Sequence, residues 1–335
     1  MGVPEDGWGP PRQLFSGEAR PTAAVFNSVT DNTLGDERFF LRLRGVGAKK
    51  WVSAGSLPVE VGSRYEGTIR FRNDNADRAA GLSRQTRVSM MLPAVVDGRA
   101  HATATVSSGS ADPPEVWRWL VLASSGSAVL IRVVPNSASL HTTRIPAGVS
   151  LPVGELFSES GALVGCDGPT GDVTGEDDCR GEVRFQFAVD QPDFAVSQLA
   201  AARGTTQYTN ARRMTTDGEL DVKVKYKNTG TIQQDDVVIK YALPTELTYI
   251  PGTTTVANSA TDGKWQKIDD NAVVERGINL GSYAPDGVSY VRLSVRVSGQ
   301  AQLRCGVNRA VGVATAETRN SSKSQKSTIE IERTC

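Results

Sequence analysis

A short acidic loop is the first candidate for ligand chemistry in the sequence. Between Cys166 and Cys179, aspartate and glutamate are interspersed with glycine, so their carboxylate oxygens could converge on one point. Calcium prefers oxygen ligands of this kind, and extracellular modules bind it weakly. The loop lacks the Asp-x-Asp-x-Asp spacing of a dedicated calcium loop, so a solvated loop pinned by two cysteines is the competing interpretation. The candidate ligands are Asp167, Asp172, Asp177 and Asp178.

Two tryptophans form the second candidate site. Trp117 and Trp119 are two residues apart, so a strand would place both rings on one face and Val116, Leu120 and Leu122 on the other. An open pair of rings could stack on a sugar, which predicts a carbohydrate platform. The alternative is that both rings pack against the N-terminal arm or the neighbouring domain, because large apolar side chains are usually covered.

A covalent cross-link is the third candidate. A lysine can form an isopeptide bond with an asparagine beside a buried carboxylate, and Asn308 with Lys223, Lys225 or Lys227 is the arrangement to inspect. Strand alternation places the three lysines together, opposite apolar residues. That pattern favours ordinary exposed lysines over a cross-link.

The four cysteines predict two disulfides. Cys166 and Cys179 bracket the acidic loop, while Cys305 and Cys335 bracket the last stretch of the chain. Neither pair has the Cys-x-x-Cys spacing of a zinc or redox site. Three pairings are possible, and the local one joins each cysteine to its neighbour within one candidate domain. Such bridges indicate an oxidising compartment, whereas four unrelated buried thiols are the alternative.

Residues that would support catalysis are scarce. The two histidines, His101 and His141, lie in polar, strand-like segments, and neither has a metal-ligand spacing. The sequence contains no Gly-x-Ser-x-Gly turn and no glycine-rich phosphate loop before a helix. We therefore expect a protein that is not an enzyme and needs no cofactor, calcium at the acidic loop excepted.

Charge and composition argue against several classes of partner. The 335 residues carry 37 Lys+Arg and 37 Asp+Glu, so the formal net charge is zero and predicts no binding to nucleic acid or anionic membrane. Runs such as Arg42-Leu43-Arg44 indicate the solvated face of a strand rather than a basic groove. No window is apolar enough to span a membrane. Residues 1–8 lack the basic start and apolar core of a signal peptide, so if the protein is exported we expect the signal to have been removed.

The elements that would position these residues are strands. The 33 glycines and 16 prolines favour turns, and apolar and polar residues alternate over short segments between them. Val196–Ala202 is the only stretch with helical periodicity. The predicted strands are Phe39–Arg44, Tyr65–Asn73, Thr86–Leu92, His101–Val106, Val116–Ala123, Ala128–Val134, Val183–Val189, Leu220–Tyr226, Val237–Leu243, Tyr290–Val297, Val311–Thr318 and Lys326–Glu332.

An internal repeat runs through the chain, with four landmarks in the same order in both copies. The first copy carries an additional stretch within Ala94 to Val133, which holds at least two more strands. The paired landmarks are Arg70-Phe71-Arg72-Asn73-Asp74-Asn75 and Lys225-Tyr226-Lys227-Asn228-Thr229-Gly230, Leu92-Pro93 and Leu243-Pro244, Val134-Pro135-Asn136-Ser137 and Ile250-Pro251-Gly252-Thr253, and Val183-Arg184-Phe185 and Val291-Arg292-Leu293.

The repeat and the strand pattern together predict an all-β protein of two tandem immunoglobulin-like antiparallel β-sandwiches, the first with an inserted hairpin. Residues 1–20 are expected to be a loosely ordered N-terminal arm, 21–192 a decorated sandwich and 193–335 a minimal one. Pro192 falls at the expected boundary, since polar linkers with proline are typical between domains.

Two resemblances support this organisation. Asn228-Thr229-Gly230, Leu243-Pro244 and Tyr249-Ile250-Pro251-Gly252-Thr253-Thr254 resemble the N-T-G, L-P and Y-x-P-G-S/T pattern of the repeated immunoglobulin-like domain of bacterial and archaeal surface proteins, over roughly residues 194–335. This chain differs from many members of that family in having the cysteine pair Cys305 and Cys335. Phe26–Asn32 followed by Gly35–Phe40 resembles a module of exported proteins from actinobacteria and related Gram-positive lineages, over roughly residues 20–190. Both resemblances imply extracellular sandwiches and carry over no catalytic residue.

These observations predict a non-enzymatic, extracellular structural or adhesive protein of the bacterial cell surface or secretome. Its expected partner is a protein or glycan of the cell envelope, with no nucleic acid and no membrane span in this chain. The alternative is a carbohydrate- or cell-wall-binding module, accessory to a larger secreted protein, with Trp117 and Trp119 as its platform.

Overall fold

The computed structural model describes residues 7–33, 35–76, 81–175, 179–268, 271–299 and 302–335. Within these residues the protein is almost entirely β-strand, with one short α-helix and three 3₁₀ helices. The chain divides into two compact units, Met1–Gln191 (unit 1) and Pro192–Cys335 (unit 2). No described helix is long and apolar enough to cross a membrane.

Unit 1 contains thirteen strands, the helix α1 (Val153–Leu156) and a 3₁₀ helix at Glu37–Phe39. The strands are β1 (Trp8–Gly9), β2 (Leu41–Gly45), β3 (Ser56–Pro58), β4 (Arg64–Phe71), β5 (Arg87–Met91), β6 (Val95–Val96), β7 (Arg99–Ser107), β8 (Glu115–Ala123), β9 (Val129–Val133), β10 (Ser139–Thr142), β11 (Val149–Ser150), β12 (Ala162–Leu163) and β13 (Gly181–Asp190).

Unit 2 contains eleven strands and 3₁₀ helices at Ser259–Thr261 and Asn271–Val274. The strands are β14 (Phe194–Ala202), β15 (Arg212–Thr215), β16 (Glu219–Asn228), β17 (Val238–Ala242), β18 (Leu247–Tyr249), β19 (Thr255–Ala257), β20 (Gln266–Lys267), β21 (Ile278–Asn279), β22 (Val288–Val297), β23 (Gly306–Glu317) and β24 (Ser322–Arg333).

Unit 2 has the strand order of an immunoglobulin constant-type sandwich. One sheet runs β14-β16-β22-β19, which corresponds to strands A, B, E and D, and the other runs β17-β23-β24, which corresponds to C, F and G. These neighbours pair antiparallel, and β15 joins the free edge of β24 in parallel. The predicted fold class is therefore confirmed by the topology of this unit.

Unit 1 has the same sheet neighbours in a different chain order. Strands β2, β4, β13 and β10 take the A, B, E and D positions, and β5, β7 and β8 take C, F and G, with β3 parallel to β8 as β15 is to β24. In unit 2 the hairpin β23–β24 follows strand E, whereas in unit 1 the hairpin β7–β8 comes between C and D. The hairpin expected within Ala94 to Val133 is thus present as β7–β8, but it is not an addition to the sandwich. It takes the F–G position earlier along the chain, and its counterpart in unit 2 is β23–β24.

Two glycines explain how the central strands of unit 1 pack. Gly67 in β4 lies opposite Phe185 in β13, and Gly181 in β13 lies opposite Phe71 in β4. A Cβ atom on Gly67 would come within 2.2 Å of the Phe185 ring, and one on Gly181 within 2.1 Å of the Phe71 ring. The missing side chains let both rings lie flat on the neighbouring backbone, where they are 1% exposed and form part of the core.

The repeat predicted from sequence is visible in the hydrogen bonds of two buried asparagines. Asn73 and Asn228 each donate from Nδ2 to two backbone carbonyls. Each also accepts, at Oδ1, the backbone N–H of the second residue along, Asn75 or Gly230. Asparagine is suited to this position because its side chain can replace backbone partners where a strand turns into a loop.

Two expectations are wrong. Val196–Ala202 is not helical but belongs to β14, which pairs with β16 over its whole length, because its alternate residues enter the core of the sandwich. The N-terminal arm is not loosely ordered from residue 7 onward. Trp8 and Gly9 pair with β8. Arg12 donates one hydrogen bond from Nε to Ser28 Oγ and another from Nη2 to the Asn27 carbonyl, each over 2.8 Å.

Candidate functional site

Both predicted disulfides are present. Cys166 pairs with Cys179, and both sulfurs lie in the hydrophobic core of unit 1. Cys305 pairs with Cys335 across the open end of the β23–β24 hairpin, and both residues are exposed. No cysteine is free.

The acidic loop brings no complete set of calcium ligands together among the described residues. Asp167 pairs with Arg144, whose Nη1 lies 3.1 Å from Asp167 Oδ2, and Asp172 is exposed. Asp177 and Asp178 lie outside the described residues. No group of three or more histidine, cysteine, aspartate or glutamate side chains that could hold a metal ion occurs in the part of the chain described. Calcium at this loop stays a prediction.

The two tryptophans of the predicted sugar platform are half-buried, and each has a neighbour. The Trp117 ring lies against Gly9 of the N-terminal arm, where a Cβ atom would come within 2.3 Å of it. The Trp119 ring stacks on His101, with 4.2 Å between ring centroids and 27° between planes. This arrangement favours the alternative in which the rings pack against the arm.

The lysines considered for an isopeptide bond are half-buried and have neighbours other than Asn308. Lys227 pairs with Asp286 over 2.9 Å, and Lys223 lies 4.0 Å from the centroid of the Tyr208 ring. Asn308 Nδ2 donates to the Arg304 carbonyl within the loop that leads into β23. These contacts favour ordinary strand lysines over a cross-link.

A groove on the outer face of unit 1 is the most developed site in the described chain. It lies across β2, β4, β13 and β10, and it consists of two adjoining cavities of about 400 Å³ and 520 Å³ that share five lining residues. Its floor consists of outward side chains arranged in cross-strand rows, about 5 Å apart from strand to strand. The rows are Arg44–Glu66–Gln186, Arg42–Thr68–Arg184–Ser139 and Arg70–Glu182–His141.

Positive charge exceeds negative charge in this groove, which we call the arginine groove. Glu66 accepts from Arg44 Nε over 2.6 Å, and Glu182 accepts from Arg184 Nε over 2.7 Å and lies 4.0 Å from Arg70. At one end the lining also includes Arg72, Asp36 and Glu37, so the whole groove carries six arginines and four acidic residues. Glu66 and Glu182 face the other five arginines. Those arginines are Arg42, Arg44, Arg70, Arg180 and Arg184.

Arg42 is a cation of the groove that its surroundings compensate poorly. Its Nε is buried and has no hydrogen-bond partner among the described residues. Burial, followed by the like charge of Arg70, lowers the pKa of the Arg42 guanidinium, and the charge of Glu182 opposes that shift. A buried donor without an acceptor costs about 1–3 kcal/mol. A ligand anion beside the guanidinium would also offset the repulsion between Arg42 and Arg70.

Polar and aromatic residues complete the groove. His141 Nδ1 lies 3.2 Å from the Pro146 carbonyl, and its Nε2 lies 3.0 Å from Ser139 Oγ. The Pro146 carbonyl can only accept, so Nδ1 donates to it, while Ser139 Oγ can donate to or accept from Nε2. At the opposite end, the Arg44 guanidinium lies 4.1 Å from the centroid of the Trp51 ring.

A buried acidic pair lies at one end of the groove. Glu37 Oε1 accepts from Arg72 Nη1 over 2.9 Å, and Asp74 Oδ2 accepts from the Ser28 backbone N–H over 2.6 Å. Burial, then the neighbouring Asp74, raises the pKa of Glu37 to about 10, and burial also raises the pKa of Asp74. Because burial favours the protonated form of both carboxyls and Arg72 lies beside them, the cluster carries less negative charge than two free carboxylates would.

The expectation that Arg42-Leu43-Arg44 is only a solvated strand face is wrong. Both arginines do alternate with apolar residues, but β4 and β13 add Arg70 and Arg184 beside them. The sequence carried a signal for this, because Arg70 and Arg184 both belong to landmarks of the internal repeat. Their convergence depends on cross-strand register, which alternation within one strand does not specify.

The corresponding face of unit 2 is arranged differently. Arg292 occupies the repeat position of Arg184, and its guanidinium lies 4.6 Å from the centroid of the Trp265 ring. Lys225 lies 6.0 Å from the centroid of the Tyr290 ring. Cations on this face are therefore paired with aromatic rings rather than gathered into an open groove.

Comparisons with known proteins give no family. No family model matches the sequence, and no curated protein matches it. One similar solved structure is the major pilin subunit BcpA of Bacillus cereus, with 7% sequence identity and a TM-score of 0.27 over 60% of this chain and 65% of that chain. A second is the collagen adhesin of S. aureus, with 9% identity and a TM-score of 0.24 over 87% of this chain and 92% of that chain. A third is AvmM, which catalyses macrocyclization in alchivemycin A biosynthesis, with 8% identity and a TM-score of 0.26 over 43% of this chain and 92% of that chain. Likeness at this level carries no argument about function, and the fold assignment depends on strand order alone.

Proposed function

We propose that this chain is a non-enzymatic extracellular protein of the bacterial cell surface or secretome, with a structural or adhesive role. The observation that carries the proposal is the pair of disulfides, one in the core of unit 1 and one closing the last hairpin of unit 2. Disulfides persist in oxidising compartments and are rare in the cytosol. Two sandwiches in tandem also present wide sheet faces for contact with a partner.

Surface labelling tests the location. Intact cells that express the protein naturally would be treated with a membrane-impermeant, lysine-reactive biotin reagent, and the captured chain would be mapped under non-reducing conditions. We expect labelled protein, in the captured or secreted fraction, with both bridges intact. A chain that stays unlabelled until lysis and carries four free thiols would overturn the proposal, and a cytosolic protein serves as the control for cell integrity.

The arginine groove favours a second function, the binding of carbohydrate or cell wall. The groove lies on a sheet face where backbone groups are already paired, so a ligand would meet side chains rather than a free strand edge. The full chain would be sedimented with purified cell walls and insoluble polysaccharides. Two single variants, Arg42→Ala and Trp117→Ala, then distinguish the groove from the tryptophan pair, and we expect only the first to weaken binding. Loss of binding in Trp117→Ala alone would instead assign the binding site to the tryptophan pair of β8.

A further inference from the structure

We propose that the arginine groove of unit 1 binds an acidic polysaccharide through the carboxylate or sulfate groups of its sugars. This inference deepens the proposed carbohydrate-binding function and rests on it. It specifies which surface binds and which chemical class of glycan it accepts.

Charge is the first argument. Six arginines and four acidic residues line the groove, so positive charge is in excess there although the chain as a whole has no net charge. A guanidinium presents a planar set of donors that matches a carboxylate or sulfate. Arg42, with its unsatisfied Nε, is placed between the rows that contain Arg44 and Arg70. An anionic group above Arg42 would offset the repulsion between the charges of Arg42 and Arg70.

Shape and polarity are the second argument. The groove crosses four strands, a distance of about 14 Å at the usual strand spacing, so it fits a chain of several sugars better than a single small anion. Ser139, Gln186 and His141 line it with hydroxyl, amide and imidazole groups suited to sugar hydroxyls. Trp51 forms an aromatic wall at one end.

The choice of glycan over acidic peptide follows from the site's position on the sheet. An extended peptide usually gains affinity by adding a strand to an exposed sheet edge. In the groove, β4 and β13 are each paired on both sides, so no backbone ladder is open there. Recognition must therefore come from side chains, which favours a ligand rich in hydroxyl and acidic groups.

The test measures binding of the full chain to a sulfated polysaccharide, a polyuronic acid, neutral dextran and poly-glutamate, by titration calorimetry at rising salt concentration. We expect both acidic polysaccharides to bind in a salt-dependent manner, with dextran and poly-glutamate weaker. Arg42→Ala and Arg184→Ala should each weaken binding about tenfold or more. Arg42→Lys should recover part of the affinity, because it keeps the charge and loses the planar donor set.

Arg309→Ala is the matched control, since Arg309 is an exposed strand arginine in β23, outside the groove. Equal losses for Arg309→Ala and Arg42→Ala would overturn the proposal in favour of non-specific charge attraction. Stronger binding of poly-glutamate would overturn it in favour of a protein ligand. Binding of cell walls or dextran that ignores all these variants would retain the carbohydrate function while rejecting the groove and the acidic ligand. Absence of binding to every glycan and to cell walls would reject both the carbohydrate-binding function and the groove as its site.

Discussion

Ser137 and Thr253 occupy equivalent positions in the two units and make the same hydrogen bonds. Each side chain donates over 2.7 Å to the backbone carbonyl three residues earlier, in the Pro landmark of the repeat. Each also accepts a backbone N–H from the E strand, from Gln186 over 3.1 Å in one unit and from Ser294 over 3.0 Å in the other. A hydroxyl residue at this position therefore ties the loop after β9 or β18 to the centre of its sheet.

Removal of either hydroxyl should loosen the strand that it holds. We expect Ser137→Ala and Thr253→Ala each to lower stability by about 1–3 kcal/mol, because a partly buried backbone N–H loses its acceptor. Hydrogen exchange followed by mass spectrometry would show faster exchange at Gln186 in the first variant and at Ser294 in the second. Ser137→Thr and Thr253→Ser keep the hydroxyl and serve as controls. If each alanine variant shows the same hydrogen exchange rate as its hydroxyl-retaining control, these bonds do not anchor the loops.

The two disulfides should contribute differently to stability, although the loop-closure entropy that each removes from the unfolded chain is similar. The sequence separations of 13 and 30 residues correspond to about 3 and about 4 kcal/mol in the loop-closure account. The Cys166–Cys179 sulfurs are also packed in the core, so their removal adds the cost of a cavity. In urea unfolding we expect Cys166→Ala/Cys179→Ala to be more destabilising than Cys305→Ala/Cys335→Ala. The opposite order would show that loop length outweighs packing here.

Stability of unit 1 should fall as pH rises through the neutral range. In the folded state the pKa of Glu37 is raised to about 10 by burial and by Asp74, whereas an unfolded glutamate loses its proton near pH 4.3. Between these values the folded state binds more protons than the unfolded state, so unfolding becomes easier by up to about 1.4 kcal/mol per pH unit. Glu37→Gln retains a neutral side chain that can donate to Asp74 and accept from Arg72.

We therefore expect Glu37→Gln to flatten the decline in thermal unfolding temperature between acidic and alkaline pH. The exposed Glu18→Gln is the matched control and should leave the decline in place. A wild-type unfolding temperature that rises from mildly acidic to alkaline pH, with no change in Glu37→Gln, would contradict a shared proton at this pair.

Docking of the N-terminal arm should depend on Gly9. A methyl group at this position would lie 2.3 Å from the Trp117 ring, so Gly9→Ala forces the ring or the arm to move. We expect loss of protection at the Trp119 backbone N–H, which donates to the Gly7 carbonyl over 2.9 Å, and easier quenching of tryptophan fluorescence. Gly126→Ala, where the added methyl meets open space, is the control. Unchanged protection in Gly9→Ala would mean that the arm tolerates displacement at this contact.

Much of the fold could be predicted because its signals are local. Alternation of apolar and polar residues located all twelve predicted strands to within a few residues, since one face of each strand is buried in its sandwich. The repeat landmarks correspond to real equivalences, as Asn73 and Asn228 show. Short strands such as β3, β12 and β21 were missed, because two or three residues are too few to carry a period.

The arginine groove could not be predicted because it depends on long-range register. Arg42, Thr68 and Arg184 form one row only after three strands far apart in sequence have paired. The buried Glu37–Asp74 pair was missed for the same reason. The chain order of the F–G hairpin also escaped prediction, since identical sheet neighbours can be reached by two routes along the chain.

The way in which each unit ends has a mechanical consequence. Strand β13, the last of unit 1, lies between β4 on one side and β9 and β10 on the other, so a pull at Asp190 must shear two ladders at once instead of peeling an edge. Strand β24, the last of unit 2, lies between β23 and the short β15, and a pull at Cys335 passes through the disulfide directly to Cys305. The load then bypasses β24 and falls on the start of β23. Both C-terminal strands thus resist unravelling by their position within a sheet, and the strand of unit 2 is protected by a covalent bond as well.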